Sequence, residues 1–171
     1  MRSFVLLAAA ATAGAADVAC PGSPSWVHAK ATVTAKFPTA SCADVKAEML
    51  ARIHGEGGWV DPHNGGTYVV TADEAGVLST SRTTKNKQYT DKQTTTFAGT
   101  AQGCTLQMCS ESQVMSIADF STNYCNLHVL FCGSKDGCPV AAADLDYTET
   151  STKSAGASND ASACIAAPVN A

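Results

Sequence analysis

The stretch Trp26-Val27-His28-Ala29-Lys30-Ala31-Thr32-Val33-Thr34-Ala35-Lys36-Phe37, followed by Pro38-Thr39-Ala40-Ser41-Cys42-Ala43-Asp44, decides the fold. Val27, Ala29, Ala31, Val33, Ala35 and Phe37 fall on one face. Trp26, His28, Lys30, Thr32, Thr34 and Lys36 fall on the other, the period-two pattern of a half-buried strand. Pro38 ends it. Ser41 with Asp44 three residues on is a helix start resembling a capping box. Cys42, Val45, Met49 and Ile53 then recur at helical spacing with Leu50 beside them, while Asp44, Lys46, Glu48 and Arg52 take the polar side. Gly55 supplies the stop. Such a helix needs a sheet or a second helix over its apolar stripe.

Beyond Thr67 the chain becomes threonine-rich and β-prone. Tyr68–Ala72 and Val77–Thr83 read as a hairpin around Asp73-Glu74-Ala75-Gly76. Tyr89–Ala98 alternates with Tyr89, Asp91, Gln93, Thr95 and Phe97 on one face, and Gly99–Gly103 turns the chain into Cys104–Cys109. Ser110 with Gln113 reads as the cap of a short helix with Val114 and Ile117 inside, Cys125–Phe131 as a short strand, and Asp144–Thr150 as an edge strand. The order predicts an α+β fold, one amphipathic helix packed on a twisted antiparallel β-sheet, rich in disulfides. An all-β sandwich with a peripheral helix is the runner-up.

The first sixteen residues read as a secretory signal peptide: Arg2, an apolar run Phe4–Ala11, and the small residues Ala13-Gly14-Ala15-Ala16 before Asp17. Residues 17–150 then form a single disulfide-stapled domain, and 151–171 a Ser/Ala/Thr-rich tail pinned by Cys164. No other segment approaches the ~18 apolar residues of a membrane span. The eight cysteines, Cys20, Cys42, Cys104, Cys109, Cys125, Cys132, Cys138 and Cys164, all lie beyond the signal. An even number in an exported chain implies a disulfide framework whose pairing sequence leaves open. Cys20 and Cys164 sit where they would pin the two ends. The C-x2-C knuckle of structural zinc sites is absent. The localisation this predicts is secreted, or another oxidising compartment of the secretory pathway.

The chain has 171 residues, 11 Lys+Arg against 15 Asp+Glu and a net charge of −4. Without a Lys/Arg cluster it lacks the footprint of a nucleic-acid binder. No G-x-S-x-G, Walker loop or G-x-G-x-x-G is present. The densest polar stretch runs from His54 to Asn64, where His54, Glu56, Asp61 and His63 lie on a glycine-rich loop; imidazole and carboxylate are ligand types for a divalent cation. The bland alternative is turn chemistry at Asp61-Pro62 and Asn64-Gly65, with Trp59 plugging the core edge. The second polar block, Cys109-Ser110-Glu111-Ser112-Gln113 through Asn126-Leu127-His128, is rich in short hydrogen-bonding side chains of the kind that serve loops satisfying their own backbone. The functional alternative is a recognition loop held by bridges, with Tyr124, Asn126 and His128, together with Trp59, as contacts.

The segments Asp61-Pro62-His63-Asn64-Gly65-Gly66-Thr67-Tyr68, Cys109-Ser110-Glu111-Ser112-Gln113 and Phe120-Ser121-Thr122-Asn123-Tyr124-Cys125-Asn126-Leu127 resemble blocks in small secreted cysteine-rich proteins of unicellular algae, over roughly residues 48–140. The resemblance implies no activity and carries over no catalytic or binding residue. The strand–helix–strands order is similar to cystatin-like folds, without their inhibitory Q-x-V-x-G loop. The expectation is a secreted, disulfide-stabilised extracellular binding domain, non-catalytic and without a cofactor, for an extracellular ligand or protein. The alternatives are a small extracellular metal-binding protein or hydrolase using the His54–His63 loop, and an inhibitor of an extracellular hydrolase.

Overall fold

The computed structural model describes residues 18–74, 76–101 and 103–165. The expected signal peptide, residues 1–16, and its boundary at Asp17 lie outside the described residues, as do the last six residues of the tail.

The decisive stretch forms β1 (Lys30–Phe37) and α1 (Cys42–Ile53). In β1 Ala31, Val33, Ala35 and Phe37 are buried, and the intervening Lys and Thr residues face out. The strand is shorter than its alternation predicts. Trp26 and Val27 lie beyond its pairing with neighbours, and both side chains are exposed. The capping box of α1 is complete: the Ser41 hydroxyl accepts from the Asp44 N–H, and the Asp44 carboxylate accepts from the Ser41 N–H. Such a cap stabilises a helix by ~1 kcal/mol.

Four strands follow, β2 (Thr67–Glu74), β3 (Val77–Thr83), β4 (Thr90–Gly99) and β5 (Cys104–Ser112), then α2 (Thr122–His128) and β6 (Thr148–Lys153). They build one six-stranded antiparallel sheet in the order β2-β3-β4-β5-β1-β6. The architecture is therefore a disulfide-rich α+β fold with a single open sheet. Among the described residues it carries two α-helices, the second at Thr122–His128 rather than in the short helix read after Ser110. β6 is the edge strand, placed later than Asp144–Thr150, and it runs across the boundary expected between domain and tail.

The inward face of the sheet is graded along the strands. At one end the rungs are Phe37–Cys104–Gly99 and Ala35–Leu106–Phe97, then Val33–Met108–Thr95–Leu78. At the other end they are Ser110–Gln93–Thr80 and Ser112–Asp91–Arg82–Tyr68. Val45 and Met49 of α1 and Tyr124 and Leu127 of α2 share one buried core with Val33, Phe37, Leu106 and Met108. The polar rungs demand polar partners, because a buried group without a hydrogen bond is costly. The outward face carries Thr32, Thr34, Thr94, Thr96, Thr150 and Thr152, none of them buried.

Four disulfides close the frame: Cys20–Cys109, Cys42–Cys104, Cys125–Cys164 and Cys132–Cys138. Cys20 and Cys164 do pin the two ends. Two further local readings change. Residues 110–112 extend β5 rather than capping a helix, and Val114 and Ile117 are exposed. The Cys125–Phe131 alternation belongs to α2 and the turn after it, where residues 123–132 are all buried. A segment buried on every side has no polar face, so its period carries no information about strand or helix.

Candidate functional site: a buried polar network beneath an exposed apolar loop

The loop after α1 folds around the Asp61 carboxylate. One oxygen accepts from the His63 N–H at 2.8 Å; the other accepts from the Gly66 N–H at 3.1 Å and from Arg82 Nε at 2.8 Å. Arg82 Nη2 also donates to Asp61 and to the Asn64 side chain. Both charged side chains are fully buried. The guanidinium lies 5.7 Å from the centre of the Tyr68 ring. Burial acts against the charge on Arg82, but Tyr68 and Asp61 outweigh it and hold its pKa above the ordinary value. His63 Nδ1 donates to the Ala163 carbonyl at 2.8 Å, and Nε2 stands 3.4 Å from Thr122 Oγ1. Burial lowers the pKa of this imidazole and favours its neutral form.

From β4, β5 and α2 the network continues. Asn126 Nδ2 donates to Asp91 at 2.8 Å and to Ser110 Oγ at 3.1 Å. The Ser110 hydroxyl donates to Asn123 Oδ1, and Asn123 Nδ2 donates to Ser112 Oγ and Asp119. The Tyr68 hydroxyl donates to the Asn126 carbonyl at 3.0 Å. Side chains of α2 thus take the place of solvent for the polar end of the sheet.

This network fixes the base of the 113–121 loop. Asp119 accepts from the Asn123 and Ser158 N–H groups, and its carbonyl accepts from Thr122. Ser116 N–H donates to the Val27 carbonyl, and Ser121 Oγ pairs with Ser158 and accepts from Asp160 N–H. The loop's apolar side chains face water: Met115 is 70%, Ile117 72% and Phe120 82% exposed, with Trp26 and Val27 exposed on the neighbouring segment. Phe120 and Ser121 both adopt positive φ, 48° and 67°. Two consecutive non-glycine residues in the left-handed region carry backbone strain that the surrounding contacts must hold.

The residues singled out from sequence are distributed differently. Tyr124, Asn126 and His128 are buried and bond internally rather than being displayed as contacts, because α2 is a core helix. The Tyr124 hydroxyl donates to Glu149, and His128 Nδ1 lies 2.9 Å from the same carboxylate. Burial and the Glu149 contact raise the Tyr124 pKa well above its usual value. Trp59 is buried, with Nε1 donating to the Pro139 carbonyl at 3.0 Å. Of the proposed metal ligands, His54 and Glu56 are exposed, Asp61 is committed to Arg82, and His63 to Ala163 and Thr122. Among the described residues, the one group whose three ligand atoms lie within 4.8 Å of one another is His128, Cys132 and Cys138, where both sulfurs are joined in a disulfide.

Sequence reasoning missed Arg82, Asn123 and the displayed Met115, Ile117 and Phe120. Arg82 had a signal: it alternates in phase with Leu78 and Thr80 on the inward face of β3. No family model, curated protein or solved structure matches the chain.

Proposed function

We propose that the protein is a secreted, non-catalytic extracellular binding domain that engages a protein partner through the 113–121 loop and the adjoining Trp26-Val27 segment. The observation that carries this reading is the exposure of Met115, Ile117 and Phe120 on a loop whose backbone is fixed by hydrogen bonds. Exposed apolar groups clustered on one rigid loop are the usual composition of an interaction surface. A preformed loop loses little further entropy on binding, and bulky apolar anchors supply most of the energy of such contacts.

Four disulfides fit an oxidising or extracellular location, and no helix of the described residues is long and apolar enough to cross a membrane. The non-catalytic reading is supported by the commitment of the reactive side chains to internal partners: Asp61 to Arg82, Asp91 to Asn126, His63 to a backbone carbonyl. The test is saturable binding of the purified protein to the outer surface of the cells that secrete it. The triple variant Met115→Ser, Ile117→Ser, Phe120→Asn is the comparison; asparagine tolerates the positive φ at position 120. Loss of binding with an unchanged melting temperature supports the reading, and undiminished binding refutes it.

A further inference from the structure

We infer that the fold contains one internal water molecule, held jointly by Arg82 of β3, Gln93 of β4 and Asn126 of α2. Three buried polar atoms have no hydrogen-bond partner among the described residues: Arg82 Nη1, Gln93 Nε2 and Asn126 Oδ1. All three residues are at most 1% exposed. Buried groups of this kind are nearly always satisfied, by protein or by ordered water.

The register brings the three together. Arg82 pairs with Asp91, and Gln93 stands two residues along on the same inward face of β4. Gln93 pairs in turn with Ser110 of β5. Asn126 straddles this square, with its amide nitrogen bonded to both Asp91 and Ser110. Diagonal neighbours on one face of a sheet lie about 7–8 Å apart at the backbone, close enough for long side chains to share a bridging atom.

The amide orientation of Asn126 follows from its partners. Asp91 offers an acceptor, and the Ser110 hydroxyl gives its proton to Asn123, so both demand the NH2 of Asn126 and leave Oδ1 directed elsewhere. Gln93 Oε1 accepts from the Thr80 hydroxyl at 2.8 Å, which leaves its NH2 to donate. Arg82 spends Nε and Nη2 on Asp61 and Asn64, which leaves Nη1.

The occupant must therefore accept two hydrogen bonds and donate one. Water does so with one proton to spare. A metal cation is opposed by the two N–H donors and by the guanidinium charge. A free anion is opposed by the carboxylates of Asp61, which pairs with the same guanidinium, and of Asp91, buried at the position opposite Arg82 on β4. The water ties β3 and β4 to α2, and through Asn123 and Asp119 to the base of the 113–121 loop.

The experiment is oxygen-17 magnetic relaxation dispersion on the intact, oxidised protein, beside a high-resolution crystal structure. The expected result is one long-lived water within hydrogen-bond distance of all three atoms. The variant Gln93→Met removes one donor at similar volume; it is expected to abolish or shorten the residence of that water while the fold persists. A dry site with the three atoms paired directly to protein overturns the inference, as does a separate water on each atom. A Gln93→Met protein that keeps the same long-lived water also overturns it. None of these outcomes depends on what the exposed loop binds.

Discussion

The guanidinium of Arg82 fills the space that a side chain on Gly66 would need: a Cβ there would lie 2.5 Å from the guanidinium carbon and from Nη2. The glycine serves close approach rather than an unusual backbone angle. The end of an arginine is normally free to move, but this one is held by Asp61 and Asn64. Gly66→Ala is therefore expected to destabilise the protein by about 2 kcal/mol, the cost of overpacking a well-packed site. Arg82→Leu should cost more, about 3–5 kcal/mol, because it leaves the Asp61 carboxylate buried and unpaired. Urea unfolding of the two variants beside the parent checks both values and their order.

Glu48 plays the corresponding role on α1. Its carboxylate accepts from Arg52 Nε and from the N–H groups of Ala141, Ala142 and Ala143. Arg52 passes on to the Val129 carbonyl. The polar side expected for this helix is thus partly buried, and it fastens the 141–143 segment and the end of α2 to the body. Glu48→Gln should cost about 3 kcal/mol, since it leaves a buried arginine without its counter-charge. Thermal unfolding is the check, with hydrogen exchange at Ala141–Ala143 accelerating in the variant.

Acidification should weaken the fold in two stages. Burial lowers the folded pKa of His63 below its ordinary 6.5. The unfolded chain then binds the proton first, so the His63 contribution is whole above pH 6.5 and declines as pH falls below it. For Glu48, burial raises the pKa, but the three backbone N–H groups and Arg52 prevail and place it below 4.5. Its contribution is complete above pH 4.5 and is lost as pH falls through the folded value. Stability measured by urea unfolding from pH 8 to pH 3 should show both declines. Glu48→Gln should flatten the lower one and His63→Gln the upper one.

The four bridges should differ in worth. Cys20–Cys109 joins residues 89 apart, and Cys132–Cys138 residues 6 apart. In the chain-entropy model the longer loop contributes roughly 2 kcal/mol more. Cys20→Ala/Cys109→Ala is expected to lower the melting temperature more than Cys132→Ala/Cys138→Ala, as read by calorimetry of the two double variants.

The strand–helix opening and the antiparallel series were legible because their patterns are unambiguous. The alternation from Ala29 to Phe37 and the Ser41–Asp44 cap each have one physical reading. That Asp91, Gln93 and Thr95 share one face of a strand was also legible, but not that the face points inward, which depends on Asn126 arriving from a distant helix. α2 was misread as a strand because it is buried all round. The exposed loop was misread as a short helix because Val114 and Ile117 are spaced three apart, and that spacing does not tell an inward side chain from a displayed one. The candidate contacts Tyr124, Asn126 and His128 lie on the buried helix α2 rather than at the surface.

Cell-surface binding by the loop variant tests the central claim most directly. Purified protein is titrated onto washed cells of its source, beside the Met115→Ser, Ile117→Ser, Phe120→Asn form. Removing anchors of this kind costs 2 kcal/mol or more, about a thirtyfold loss of affinity. The account predicts saturable binding by the parent and at least a tenfold weaker association by the variant, with equal melting temperatures. Equal binding by the two proteins, or no saturable binding by the parent, would contradict it.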